Sequence, residues 1–481
     1  MRPENNRRIT YMQPAFALAI GTAIMLAVVS ISAQATVFIG GLNSPSKMIT
    51  AGGSSLLVAE AGMTTAANSG RISLVNRVTG ARQTLIDGLP SATSLSGGAP
   101  DASGPSGLKL NGQKLYLTIG AGDTSIPVTG GTILNPAPSS PLLDSVLELT
   151  LPVDYETLAS SFSLSNANQA TLNGGGQVTL NNGEGKQLIV RLVANLPNFV
   201  AEPRPALPEN IREANCYGVE ISGDSLYVID ASFNLLYRVN IATGVSETFA
   251  VFAIRPNPTP VGPPFIEPVP DSIRLVGGNL VISLLTGFPF VQGLSEVRTV
   301  NLATGTQAVL ISGLTSALEV IPFETANNAF LVLEFSSNQL AQAPGRLKLF
   351  TSPAANPIIL ADGLITPTSV VRVAPTGTTY ITEKATGRIM RLAGPSAAGV
   401  SISGRVVSSD GRGLRNAIIT ITDMQGVSRT AITSSFGYYT FSDAQAGGSY
   451  VITVSAKRFR FASRIIEAFD DLTNVDFVGQ E

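Results

Sequence analysis

Histidine and tryptophan are absent from this chain, and cysteine occurs once, at Cys216. Without histidine there is no Ser-His-Asp or Cys-His arrangement, no His-bound zinc and no His-based general acid. One cysteine excludes an internal disulfide, and Cys216, at the start of a predicted strand, reads as a small buried apolar residue. Charge is scarce too. Only 13% of residues are charged, about half the usual share, with 31 bases against 33 acids. No basic stripe interleaved with aromatics occurs, which excludes nucleic acid as a partner class.

Long apolar runs are lacking except at the start. Ala15 to Val29 carries no charge, Arg2, Arg7 and Arg8 precede it, and Ala33-Gln34-Ala35 has the small-x-small form of a cleavage site. This reads as a signal peptide over 1–35. An uncleaved anchor is the alternative, although the run is short for a spanning helix. Membrane contact is expected only in that case. Cleavage removes three Arg and Glu4, taking the net charge from −2 to −4. Either way the remainder is expected outside the cytoplasm, secreted or periplasmic.

What is plentiful is glycine (47), proline (30) and short runs rich in Val, Ile and Thr, a mixture that favours many short strands. One phrase recurs: an apolar strand, Gly-Leu or a variant, a small polar residue and often Pro. It occurs around Gly41-Leu42, Gly88-Leu89, Asn195-Leu196, Gly313-Leu314 and Gly363-Leu364, with a degenerate copy near Phe249 to Ala253. The spacing of about 50 residues, lengthened by an insertion at Val153–Gly185, suits four-stranded blades. Thr79-Gly80, Thr243-Gly244 and Thr304-Gly305 are predicted turns into outer strands. Tyr155–Phe162 is expected to be a short helix in an insertion projecting from the face opposite the junctions. The predicted fold is all-β: a six-bladed propeller over 36–393, closed by pairing Thr36–Gly41 with Arg388–Leu392, then a linker at 394–399 and a β-sandwich over 400–481.

Leu57-Val58-Ala59-Glu60-Ala61-Gly62, Leu115-Tyr116-Leu117-Thr118-Ile119-Gly120, Asn215-Cys216-Tyr217-Gly218 and Leu285-Thr286-Gly287-Phe288-Pro289-Phe290 resemble the ScyD/ScyE family of NHL-like propellers. That resemblance covers about residues 36–393 and implies a β-propeller; Cys216 stands where the family usually has Pro. Ile402-Ser403-Gly404-Arg405-Val406, Ser434 to Phe441 and Gly447 to Val454 are similar to carboxypeptidase regulatory-like, transthyretin-like domains. This implies an accessory sandwich with a carbohydrate-binding-like fold and no peptidase chemistry.

Strand polarity puts the blade junctions and the second-to-third-strand loops on one face. The ligand-binding candidates there are Phe288 and Phe290, in a Pro-rich loop, with Tyr217 and Asp271; packing of the Phe288-Pro289-Phe290 loop onto its blade is the competing role. Glu60, Asp230, Glu334 and Glu383 end second strands, with Asp123 just past another. They are weak candidates for calcium, against acceptance of hydrogen bonds from turn amides. Aligned inner strands bring Lys109, Glu220, Arg274 and Glu319 into one column, between Ile49 and Val371, as an alternating charge ladder lining the channel.

These features predict a non-catalytic binding or scaffold protein whose partner is a glycan, a small molecule or an envelope protein. No cofactor is expected, with calcium as the possible exception. The alternative is a calcium-dependent lactonase-type hydrolase on the same propeller, which needs acids and Asn converging on one ion.

Overall fold

The computed structural model describes residues 35–95, 99–129, 131–201, 212–323, 328–373, 377–392, 399–423, 427–445, 448–468 and 471–480. The export segment, most of the expected linker, Asp470 and much of the loop before Cys216 lie outside them. Among the described residues no helix is long and apolar enough to cross a membrane.

The sequence rises in antiparallel meanders. Blade one contains Pro45–Ala51, Ser55–Glu60, Gly70–Asn76 and Arg82–Leu89, from inner to outer strand. Blade two contains Pro105–Asn111, Lys114–Ile119, Ser145–Thr150 and Gln187–Asn195, extended by Gln177–Asn181. Blade three is Cys216–Ser222, Ser225–Asp230, Leu235–Asn240 and Ser246–Val251; blade four is Pro270–Val276, Asn279–Leu284, Ser295–Asn301 and Gln307–Leu314. Blade five runs Ala317–Pro322, Phe330–Glu334, Gly345–Phe350 and Ile358–Leu364. Blade six has Pro367–Val373, Thr378–Glu383 and Arg388–Leu392, and its outer strand is Thr36–Ile39, paired Thr36 to Arg391 and Val37 to Met390. Each inner strand packs against the next, and the last returns to the first.

Local chemistry explains the repeat. The glycines of the Gly-Leu phrase, Gly41, Gly88, Gly313 and Gly363, all have positive φ, where a side chain is strained. At the far end of three blades Asn76, Asn240 and Asn301 accept amides two and three residues ahead, closing the Thr-Gly turns. The second strands are buried on both faces, so the cores lie between blades.

The blade-two insertion differs from expectation. Tyr155–Thr157 is a single 3-10 turn, and the helix lies later, at Asn166–Asn173, capped by Ser165 and Asn168. Instead of projecting, the segment runs along blade one. Phe162–Ser163 pairs in parallel with Ile86–Asp87, and Phe162, Leu164 and Leu172 join the core shared by blades one and two. The apolar residues of the insertion stabilise more by covering that outer edge than by facing water.

The tail forms a sandwich of a three-stranded sheet, Tyr438–Gln445, Gly399–Ser408 and Phe477–Gly479, and a four-stranded sheet, Ser428–Ile432, Ile418–Asp423, Gly448–Ser455 and Arg464–Ala468. Ile402, Ile419, Ile452, Phe441 and Phe477 fill its own core.

Candidate functional site at the channel mouth

Every inner strand opens with a β-bulge, after Pro45, Pro105, Cys216, Pro270, Ala317 and Pro367. The extra residue of a bulge leaves the ladder and re-aims its side chain. In ring order the residues following those six positions are Ser46, Ser106, Tyr217, Asp271, Leu318 and Thr368. Three act as latches between blades. Ser46 Oγ donates to Pro105 O at 2.6 Å, Ser106 Oγ to Cys216 O at 2.6 Å and Thr368 Oγ1 to Pro45 O at 2.8 Å. In blade four Ser283 Oγ from the second strand takes over, donating to Leu318 O at 2.8 Å.

Tyr217 and Asp271 break the pattern. Tyr217 takes part in the latch ring only through its backbone O, which accepts Thr118 Oγ1 at 2.6 Å, and Asp271 Oδ2 is buried with no partner among the described residues. Burial holds the Asp271 carboxyl well above the usual carboxylate range, against the pull of Lys47. Burial, then Asp271, Glu319 and Asp101, push the Tyr217 phenol up, so it remains a donor. The two ligand-binding candidates thus share one electrostatic neighbourhood. Phe288 and Phe290 stand elsewhere: their rings stack edge-to-face at 6.0 Å, and Phe288 covers Gly262, where an added Cβ would lie 2.7 Å from the ring. They pack the loop, although Phe288 keeps about half its surface exposed.

Tyr217 forms part of the wall of a cavity of about 220 Å³ on the junction face, together with Ser46, Ser106, Glu213, Asn215, Asp101 and Lys384. Lys384 Nζ reaches Asp101 at 2.5 Å across it, joining blade six to the hairpin Ala92–Ser94 and Asp101–Ser103 that precedes blade two. Glu213 is buried and accepts from Ser125 Oγ. Glu213, Asn215, Asp101 and Lys384 were missed by sequence reasoning, because their placement depends on loops whose course the blade period does not set.

The four acids ending second strands turn inward to their own junctions. Glu60 accepts Asn43 N at 2.5 Å, Asp230 accepts Asn215 N at 3.1 Å, Glu334 accepts Thr315 N at 2.8 Å and Glu383 accepts Ile365 N at 2.7 Å. Glu60 also holds Arg71 at 2.7 Å, and Glu334 holds Lys348 at 2.7 Å. Asp123 ties Ser139 in its own loop. Among the described residues no three acids or cysteines group as metal ligands. Cys216 is buried, and burial pushes its thiol well up.

Deeper in the channel, the charge column is formed in two of its three steps. Lys109 meets Glu220 at 2.5 Å, and Arg274 meets Glu319. Glu220 and Arg274 do not pair. Glu220 accepts the amides of Ile221 and Leu275, and Arg274 donates to Ile273 O at 2.7 Å. The expected register also needs correction in blade five. Ala317, not Thr315, stands opposite the end of the second strand, so Glu319 lies two residues past the bulge start, level with Lys47. A slip of two preserves the face of a strand, which is why Glu319 still enters the channel. Lys47, not Ile49, is the charged residue of blade one there. It bonds to Glu319, whose other oxygen accepts Val370 N at 2.8 Å. Burial and Arg274 bring Lys47 down to about 8. Burial alone would raise Glu319, but Lys47 and Arg274 hold it below its ordinary value.

Residues 401–478 match the model of the carboxypeptidase regulatory-like domain, so the tail carries such a domain. Comparison with curated proteins gives no match. Among solved structures the chain is similar to a nidogen/laminin complex (10% identity over 70% of this chain and 92% of the other, TM-score 0.34). It is also similar to the WD40 β-propeller domain of Doa1 (11%, 75% and 97%, TM-score 0.35). A third is the PQQ-bound aldose sugar dehydrogenase from Streptomyces coelicolor (13%, 74% and 96%, TM-score 0.40).

Proposed function

We propose that this chain is a non-catalytic extracytoplasmic binding protein that takes its ligand at the junction-face mouth of the propeller channel, with the tail as an accessory carbohydrate-binding-like module. The observation that carries the reading is the broken latch ring. At three blades the bulge residue spends its hydroxyl on the neighbouring blade. At blades three and four that position holds Tyr217, which lines the cavity, and Asp271, which lies outside its lining and whose Oδ2 is buried with no partner among the described residues. Unspent polarity in a concave site on a rigid scaffold is what ligand recognition needs. The engagement of Glu60, Asp230, Glu334 and Glu383 with junction amides supports this reading over a calcium-dependent lactonase, which needs those oxygens on an ion. The ScyD/ScyE-like phrases and the N-terminal export pattern accord with it. A glycan, a small molecule and an envelope protein are the partner classes to test, and nucleic acid is not among them.

The test is capture from envelope extract and a small-molecule screen, with the full chain and with Ser94→Trp. Ser94 lines the cavity from the hairpin, so the indole fills the mouth without entering a blade. Ligands retained by the parent and lost by Ser94→Trp support the site. Ligands retained equally by both remove it.

A further inference from the structure

The chemistry of the mouth also selects a kind of ligand. We propose that the channel-mouth cavity holds a neutral polyhydroxylated ring of about monosaccharide size, gripped by Asn215 and Tyr217; this rests on the binding function assigned above to the same cavity. Size comes first. A cavity of about 220 Å³ is below the roughly 300–1,000 Å³ of drug-sized sites, and too small for a peptide or an oligosaccharide to be enclosed.

Polarity comes second. The Asn215 carboxamide has no side-chain hydrogen bond among the described residues; only its backbone is engaged, with Asp230 and Ala231. It therefore offers donors and an acceptor side by side. The Tyr217 hydroxyl adds a donor and acceptor, and its ring adds an apolar face. Ser46 and Ser106 donate their protons to carbonyls of the next blade, which leaves their oxygens as acceptors only. An array that both gives and takes protons suits vicinal hydroxyls, each of which does the same.

Charge comes third. The Lys384 cation is already paired with Asp101, so no free cation among the lining residues awaits a phosphate or carboxylate. Glu213, buried and bonded to Ser125, would repel an anion.

The experiment is ligand-observed NMR on the full chain. One set of probes is free hexoses, methyl glycosides and myo-inositol. A second, matched in size, is amino acids, inorganic phosphate and a cyclic amide without hydroxyls. The expected result is saturable binding of members of the first set alone. Tyr217→Phe and Asn215→Ala should each weaken it about tenfold or more, while Phe288→Ala leaves it unchanged. Both binding-site variants must keep the parent's melting temperature. Tyr217→Phe removes one oxygen and serves if Asn215→Ala disturbs the junction. If a probe of the second set binds and Ser94→Trp abolishes it, the ligand class is wrong and the binding function stands. If no probe and no extract component binds, both fall.

Discussion

At three of the six blades a single hydroxyl at the bulge does the joining to the next inner strand. Ser46, Ser106 and Thr368 are buried, and each satisfies a carbonyl of the neighbouring blade that would otherwise be orphaned at the bulge. Replacement by Ala leaves that carbonyl buried and short of a donor, a cost of about 1–3 kcal/mol. Ser106→Ala should therefore lower the unfolding free energy measured in denaturant by that amount. Ser139→Ala, which frees an acceptor only in a loop, should cost less. Asp271 makes a different prediction. Its folded-state carboxyl titrates above its unfolded value because it is buried. Between the two, the native state holds a proton that the unfolded state has released. Its contribution is therefore present at low pH and lost as pH rises through that window. Asp271→Asn removes the titration while keeping the shape. The melting temperature of the variant minus that of the parent should rise from about pH 4 toward neutrality. A flat difference would mean that Asp271 is ionised beside Lys47.

At the level of strands and loops, the legible part of the fold was the part set by period and turn chemistry. The recurrent Gly-Leu phrase marked the blades, and the Thr-Gly pairs marked the hairpins. Three things were not legible. The bulge start in blade five lacks Pro, so pattern alone puts it at Thr315, two residues before Ala317, where it stands. Lys47 lies in an otherwise apolar strand, and nothing local says that its cation crosses to another blade. The helix Asn166–Asn173 has a capping box of Ser165 and Asn168 in place of the usual acidic partner. Of the site, Tyr217 and Asp271 could be named but not the reason for them. The Pro-Ser and Pro-Thr pairs at 45–46, 105–106 and 367–368 contained the signal, as the rule that these two residues break. The buried Lys47–Glu319–Arg274 cluster carries its own prediction. Removing the shared carboxylate leaves two inward cations without a counter-charge, a change that costs about 3–5 kcal/mol. Glu319→Gln should therefore destabilise far more than Asp362→Asn, whose pair with Arg346 is exposed. Equal losses in urea titrations would show that the cluster is not desolvated.

For the whole molecule, the decisive contact joins the two ends of the propeller's sequence. Three strands of blade six come last, and its fourth comes from before blade one. Thr36–Ile39 covers the outer edge of Arg388–Leu392. Phe38 packs on Tyr380 with ring centroids 5.1 Å apart, Arg391 lies 5.5 Å over the Phe38 ring, and Leu42 N donates to Gly387 O at 3.0 Å. The ring also needs the inner seam, where Thr368 holds Pro45 and Ser369 Oγ accepts Met48 N at 3.1 Å. Closure between distant segments brings a loop-entropy cost that grows only slowly with length, so a short strand with one aromatic anchor suffices. Truncation up to Ile39 tests this with the inner seam intact. It removes an aromatic pair and a strand ladder and exposes an edge that is a template for intermolecular pairing. The expected outcome is a loss of at least about 2 kcal/mol together with concentration-dependent self-association in light scattering. The tail, whose core draws on its own residues, should keep its far-ultraviolet signature and unfold separately. A truncated chain that stays monomeric and melts with the parent would show that the seam of inner strands alone closes the ring.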